Sequence, residues 1–96
     1  MSTRRFYFYN ICFKRKGTGR WIFVNGEITN DSGKDYNTAV FRLSVFGKNI
    51  LMWAGMIKIV GFRKRQTRNF ELMMDGFDHR SLPAIARYDI YFENGY

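Results

Sequence analysis

The chain has 96 residues, 46% of them hydrophobic and 19% aromatic, with 16 Lys and Arg against 8 Asp and Glu for a formal charge of +8. So much apolar surface excludes a disordered tail, and so short a chain leaves room for one hydrophobic core and not two. The positive balance favours polyanionic partners without identifying one.

Alternation with a period of two, bounded by Gly, Asn, Asp and Lys clusters and filled with β-branched and aromatic residues, runs through most of the chain and predicts strands. Phe6 to Phe13 puts Phe6, Phe8 and Cys12 on one face and Tyr7, Tyr9, Ile11 and Phe13 on the other, so neither face reads as solvent. It is either a central strand or a strand with one face turned to a partner. Cys12 is expected as a small buried hydrophobe within this run, and as the only cysteine it cannot form an intramolecular disulfide. KRKGTGR is the connector to the next strand. From Arg20 to Thr29, Ile22, Val24, Gly26 and Ile28 face inward, which turns Trp21 and Phe23 outward with Asn25, Glu27 and Thr29.

TNDSGKDYN is a polar loop in which Asn30, Asp31 and Ser32 can hydrogen-bond nearby backbone and Gly33 supplies positive φ. From Thr38 to Phe46, Ala39, Phe41, Leu43 and Val45 form the core face. Gly-Lys-Asn in FGKNI marks a tight hairpin. Ile50 to Val60 is long, with Leu51, Trp53, Ile57 and Ile59 in one parity, and is expected either bent near Gly55 or split into two short strands. GFRKRQTR is a basic turn. Between Arg68 and Met74, Phe70, Leu72 and Met74 face inward. DHRSLPAIA, with Asp78 or Ser81 as cap and Pro83 early, predicts a single helical turn near Ser81 to Ala86. Tyr88, Ile90 and Phe92 form the inner face of the last strand. About seven short strands within one domain, residues 1–96, make an all-β, immunoglobulin-like antiparallel Greek-key sandwich the expected fold.

The segments GEITNDSGKDYNTAVFRLSVFGKNIL, RKRQTRNFELMMDG and RYDIYFENGY together resemble the FxLYD domain family of prokaryotic proteins. The name motif falls on Phe41 and Leu43 in one register, without the Tyr-Asp pair, and on Leu43, Val45, Phe46 and Gly47 in the other. The resemblance implies an immunoglobulin-like β-sandwich of the kind found in envelope or secreted proteins. It implies no catalytic residues, because the motif's apolar positions fill the core and its acid forms a turn.

Residues that carry chemistry are sparse. His79 is the only histidine, in a polar connector, and with one cysteine no structural zinc site can be assembled. Glu27, Glu71, Asp89 and Glu93 lie on outward parity and Asp31, Asp35, Asp75 and Asp78 in turns, so no carboxylate pair converges. No phosphate-cradling glycine motif precedes a helix. No catalytic residue, metal or cofactor is expected, the chain is read as non-enzymatic, and no small-molecule substrate is indicated. RRFYFYNICF lacks the small-residue cleavage site of a secretory signal. The apolar run ILMWAGMIKIV is broken by Lys58 and falls far short of the roughly 20 residues that cross a bilayer. No transmembrane segment is therefore expected, and the compartment is left open.

Charge and aromatics supply the candidate site. Residues 1–20 hold Arg4, Arg5, Lys14, Arg15, Lys16 and Arg20, and residues 58–68 hold Lys58, Arg63, Lys64, Arg65 and Arg68, neither block containing an acid. Were both basic connectors to project from one end of the sandwich, their fields would sum. Tyr7, Tyr9, Trp21 and Phe23 exceed what the interior of a two-layer sandwich needs, and an apolar face left over marks an interface. The reading is a non-catalytic interaction or structural module that binds another protein, or itself, through this aromatic strand face. The alternative is a polyanion or nucleic-acid binder using Lys14, Arg15, Lys16 and Arg20 together with Arg63, Lys64, Arg65 and Arg68.

Overall fold

A computed structural model describes the backbone of residues 2–3 and 5–96, with side chains from Arg5 onward; Arg4 of the first basic block lies outside the described residues. The elements are β1 (Ser2–Thr3), β2 (Phe6–Arg15), β3 (Trp21–Asn30), β4 (Tyr36–Phe46), β5 (Leu51–Phe62), β6 (Thr67–Asp78), a 3-10 helix (His79–Ala84) and β7 (Arg87–Gly95). They form two antiparallel sheets, one in the order β1-β2-β3-β6 and one in the order β5-β4-β7. The all-β fold expected from the alternation is the fold of the chain.

Two of the interior strands, β3 and β4, alternate without a break, and this builds the core. Ile22, Val24 and Ile28 of β3 face Ala39, Phe41, Leu43 and Val45 of β4, and all seven are fully buried. Burial of a Val, Leu, Ile or Phe side chain contributes about 1.5–3 kcal/mol each, so this double row dominates the stability. An aromatic cluster closes one end of it: Phe6 stacks on Phe92 with centroids 4.9 Å apart and meets Phe41 edge-on at 5.0 Å.

Alternation is interrupted in several strands, and in β2, β5 and β6 the local cause is visible. In β2 the register with β3 slips between Tyr9 and Cys12, where Asn10 adopts φ 53°. The extra residue reverses the parity beyond it, as a β-bulge does. Ile11 and Phe13 consequently pack against the core, Ile11 sitting where Gly26 has no Cβ, while Cys12 is exposed. The expectation of a buried Cys12 is thereby corrected. In β5 the slip lies between Val45 and Phe46, opposite Met52, and not at Gly55. Gly55 instead leaves room for the Trp53 indole, which an added Cβ would strike. The bend comes at Gly61, with φ 65°, which allows Ile57, Ile59 and Phe62 all to reach the interior, so the segment is one strand and not two. In β6, Gly76 with φ 84° does the same for Phe77.

The open side between β5 and β6 is stitched by side chains that bond the exposed strand backbone. Arg68 Nη1 donates to the carbonyls of Val60 (2.9 Å) and Gly61 (3.2 Å), and Trp53 Nε1 donates to that of Asp75 (3.0 Å). Occupying these carbonyls blunts two edges that would otherwise offer themselves for strand pairing.

Chain direction sorts the connections into two ends. One, the helix end, gathers the β2–β3 turn, the β4–β5 turn and the 3-10 helix. His79 N–H donates to Arg20 O (2.8 Å) and Ala86 N–H to Phe46 O (2.8 Å), so the helix bridges from one turn to the other. It starts two residues before the predicted Ser81, because Asp78 is the cap and accepts from Arg80 N–H at 2.8 Å. The opposite end, the Asn30 end, gathers the entry to β2, the β3–β4 loop and the β5–β6 loop.

Candidate functional site

The topology divides the residues that the sequence groups as candidate binders. Lys14, Arg15, Lys16, Arg20, Trp21 and Phe23 lie toward the helix end, while Arg63, Lys64 and Arg65 lie at the Asn30 end with Arg68 close behind. The molecule is 40 Å along its longest axis, several times the screening length of about 8 Å at physiological salt, so the two basic connectors do not sum into one field.

At the helix end the cations are largely engaged within the chain. Lys16 pairs with Glu71 at 2.7 Å, and Arg20 and Arg80 both pair with Asp78, at 3.2 and 3.0 Å. Arg15 curls back onto its own turn, donating to Gly19 O at 2.7 Å and Thr18 O at 3.1 Å. The Arg80 side chain and backbone N–H, with help from Arg20, hold the Asp78 carboxyl far below the usual carboxylate range. His79 Nδ1 lies 3.2 Å from Arg20 O and belongs to the same capping cluster. The outward aromatics are half-buried beneath these side chains: the Lys16 ammonium sits 4.8 Å over Phe23 and the Arg20 guanidinium 5.0 Å over Trp21. Such contacts stabilise by roughly 0.5–1 kcal/mol at exposed sites and occupy the ring faces that a partner would use.

The Asn30 end has the opposite character. Its scaffold is Asn30, fully buried at the end of β3. Its side chain donates to Lys34 O (2.8 Å) and Phe62 O (3.3 Å) and accepts from the backbone N–H (3.0 Å) and the hydroxyl (2.6 Å) of Ser32. Its backbone accepts from Arg65 N–H (2.6 Å) and donates to Gln66 O (2.9 Å), while Asp31 N–H donates to Arg5 O at 2.8 Å. Asn30 therefore ties the β3–β4 loop to the β5–β6 loop, and its neighbour Asp31 adds the entry to β2; an Asx turn is the reason: the short amide bonds backbone two residues on while the main chain bends.

Over this scaffold lies an open groove of about 790 Å³, lined by Arg5, Tyr7, Asp31, Gly33, Lys64 and Arg65. Arg5 and Arg65 hold φ of 69° and 66°, a left-handed conformation that is uncommon for residues with a side chain, and their loop hydrogen bonds keep them there. Among the described residues, none of Arg5, Lys34, Arg63, Lys64 and Arg65 forms a salt bridge. Asp35, the nearest acid in sequence to Lys34, accepts from Lys64 backbone N–H at 2.8 Å, so its carboxylate is spent on the loop and not on a cationic head. Arg68 is committed to the β5 carbonyls. Tyr7 is exposed at the groove's edge, and Tyr9 one step along β2 lies opposite Glu27, which Asn10 holds at 2.7 Å.

Sequence reading put Arg5 in a basic block but not at a binding site, and it missed Asp31 and Gly33 as lining. The signal for Arg5 was its position immediately before the strand that carries Tyr7. Among the described residues, no three His, Cys, Asp or Glu side chains are placed to hold a metal ion. No family model, curated protein or solved structure matches the chain.

Proposed function

We propose that the chain is a non-catalytic interaction module whose docking surface is the groove at the Asn30 end, and whose partner is an acidic segment of another protein. One observation carries the reading: Arg5, Lys64 and Arg65 converge on a groove with Asp31 as the one acid in its lining and no intramolecular ion pair to satisfy them. Arg5 gives up only a long 3.5 Å bond to Ser32 O, and Lys64 and Arg65 no side-chain bond among the described residues, to meet a carboxylate. An acidic peptide suits the groove better than a nucleic-acid strand. Base stacking needs a row of open aromatic faces, whereas Tyr7 is the only ring in the lining and Trp21 and Phe23 lie toward the opposite end under Lys16 and Arg20. The FxLYD relationship belongs to the same proposal. Its support is the segment from Gly26 to Leu51, which contains the Asn30 loop, and the return of β6 beside β3 after the β4–β5 hairpin supports the Greek-key reading.

The test is fluorescence anisotropy with a labelled oligoglutamate peptide and a labelled oligothymidylate. The peptide is expected to bind more tightly than the oligonucleotide, with an affinity that falls steeply as salt rises. Reversing the charges of Lys64 and Arg65 together, K64E with R65E, is expected to weaken it by roughly tenfold or more. Peptide binding indifferent to salt or to the double reversal would sink the proposal, and tighter binding of oligothymidylate would replace it with the nucleic-acid reading.

A further inference from the structure

We infer that the helix end docks on an anionic lipid bilayer, through a surface separate from the groove proposed above. Ile50 and Leu51, at the β4–β5 turn, are 69% and 54% exposed, which makes this turn the most exposed apolar step between two strands among the described residues. They stand beside a cleft of about 550 Å³ between that turn and the 3-10 helix, lined by Lys48, Ile50, Met52, Pro83 and Ile85 among others. An apolar patch that no other part of the chain covers marks a site of contact.

Two features of this end select a bilayer as the occupant. The first is the state of its backbone. Gly47 N–H donates to Ile50 O (2.9 Å), Ile85 N–H to Leu82 O (3.2 Å) and Ala86 N–H to Phe46 O (2.8 Å). Pro83 has no N–H to satisfy. A turn closed in this way can enter the boundary between headgroups and acyl chains with these polar groups already bonded, which the loss of water there requires. The second is the charge around the patch. Lys48 lines the cleft itself, and the Arg20 and Arg80 side chains at the other end of the helix are 68% and 77% exposed. A 3-10 helix rises about 2 Å per residue, so Arg80, and Arg20 bonded to His79, stand roughly 6–8 Å along its axis from Pro83 in the cleft lining. That distance is close to one screening length. Asp78 offsets only one of the two arginines it holds, and with Arg15 on the neighbouring turn the end keeps an excess of cations. Ile50 and Leu51 would sit among acyl chains while Lys48, Arg20 and Arg80 reach anionic headgroups, their stems lying along the apolar surface.

Co-sedimentation with vesicles tests the assignment. The chain is expected to pellet with vesicles of mixed phosphatidylcholine and phosphatidylglycerol and to stay in solution with phosphatidylcholine alone. Replacing both tip residues, I50S with L51S, is expected to lower affinity for the mixed vesicles by roughly tenfold or more, because two side chains lose their apolar destination. Circular dichroism should not change, since both side chains already stand in water. The K64E and R65E pair should bind vesicles as the unaltered chain does. Failure to pellet with the mixed vesicles, equal binding by the tip variant, or loss of binding in the groove variant instead would each overturn the inference. The last outcome would place any lipid contact at the Asn30 end without touching the peptide measurement.

Discussion

At the helix end, lysines and arginines answer to acids and rings: Lys16 to Glu71 and Phe23, Arg20 to Asp78 and Trp21, Arg80 to Asp78. At the Asn30 end the same residue types answer to no acid, and the order there comes from a buried amide that bonds backbone. Both ends are basic, yet the first spends most of its charge on its own surface, with Lys48 and a surplus arginine left over, and the second leaves its own directed at solvent. For recognition of a carboxylate by side-chain charge, local charge density is therefore a poor guide, and the presence or absence of intramolecular partners is a better one. The two ends should also fail differently, since exposed ion pairs contribute little to stability while buried, fully bonded polar groups contribute much.

The largest expected effect follows from that difference. Asn30→Ala removes two donors from Lys34 O and Phe62 O and the acceptor for Ser32, leaving polar groups with no bond in a buried site. Stability should fall by about 3 kcal/mol, read from the midpoint of urea unfolding. Oligoglutamate affinity should drop as well, although no charge has changed, because the groove's walls are the loops that Asn30 ties. A variant with near-normal stability would show that the Asn30 end is held by its backbone bonds alone.

The fold could be read from the sequence where alternation is unbroken and not where a single residue interrupts it. Ala39, Phe41, Leu43 and Val45 were readable as core because no glycine or asparagine falls among them. Cys12 was misplaced because Asn10, two positions earlier, takes up a left-handed conformation and inserts one residue into β2; nothing in the composition of Phe6 to Phe13 separates that from an unbroken strand. Gly55 was a reasonable place for a bend, but the bend fell at Gly61, and the difference lies in the Trp53 indole that needs the first glycine's empty side. The basic connectors were legible as connectors. Which end each occupies depends on the order of strands in the sheets, a non-local property that periodicity does not encode. Arg5 was seen as a charge and not as part of a groove for the same reason, because its neighbours Lys64 and Arg65 are distant in sequence and arrive through the β5–β6 turn.

Acid sharpens the comparison next. The folded chain holds Asp78 below its unfolded value, mainly through Arg80 and secondarily Arg20. The resulting stabilisation is present in full above the ordinary carboxylate range, near pH 4, and is lost as pH falls from there toward the folded value. Asp78→Asn should therefore be less stable than the unaltered chain at neutral pH, and the difference should shrink progressively below about pH 4. Thermal melts of both proteins from pH 7 down to pH 2 would show the two curves converging, while a gap that persists or widens in acid would mean that the advantage of Asp78 over asparagine is not its charge.

The smallest expected change in stability belongs to Arg65, and it isolates the groove's charge from the groove's construction. Its φ of 66° costs a residue with a side chain something of order 1 kcal/mol, which glycine avoids. Glycine also brings a more disordered unfolded chain, a cost of about 0.5–1 kcal/mol that opposes the gain. Arg65→Gly should accordingly leave stability within about 0.5 kcal/mol of its starting value, because the backbone N–H that bonds Asn30 O is untouched. Binding of oligoglutamate should nevertheless weaken several-fold, since one of three unpaired cations is gone. The same substitution with valine keeps the loss of charge and worsens the backbone strain, so it should bind as poorly as the glycine variant and unfold more readily. If glycine and valine differed in affinity as much as in stability, the shape of the β5–β6 turn, and not the charge it displays, would govern docking at this end.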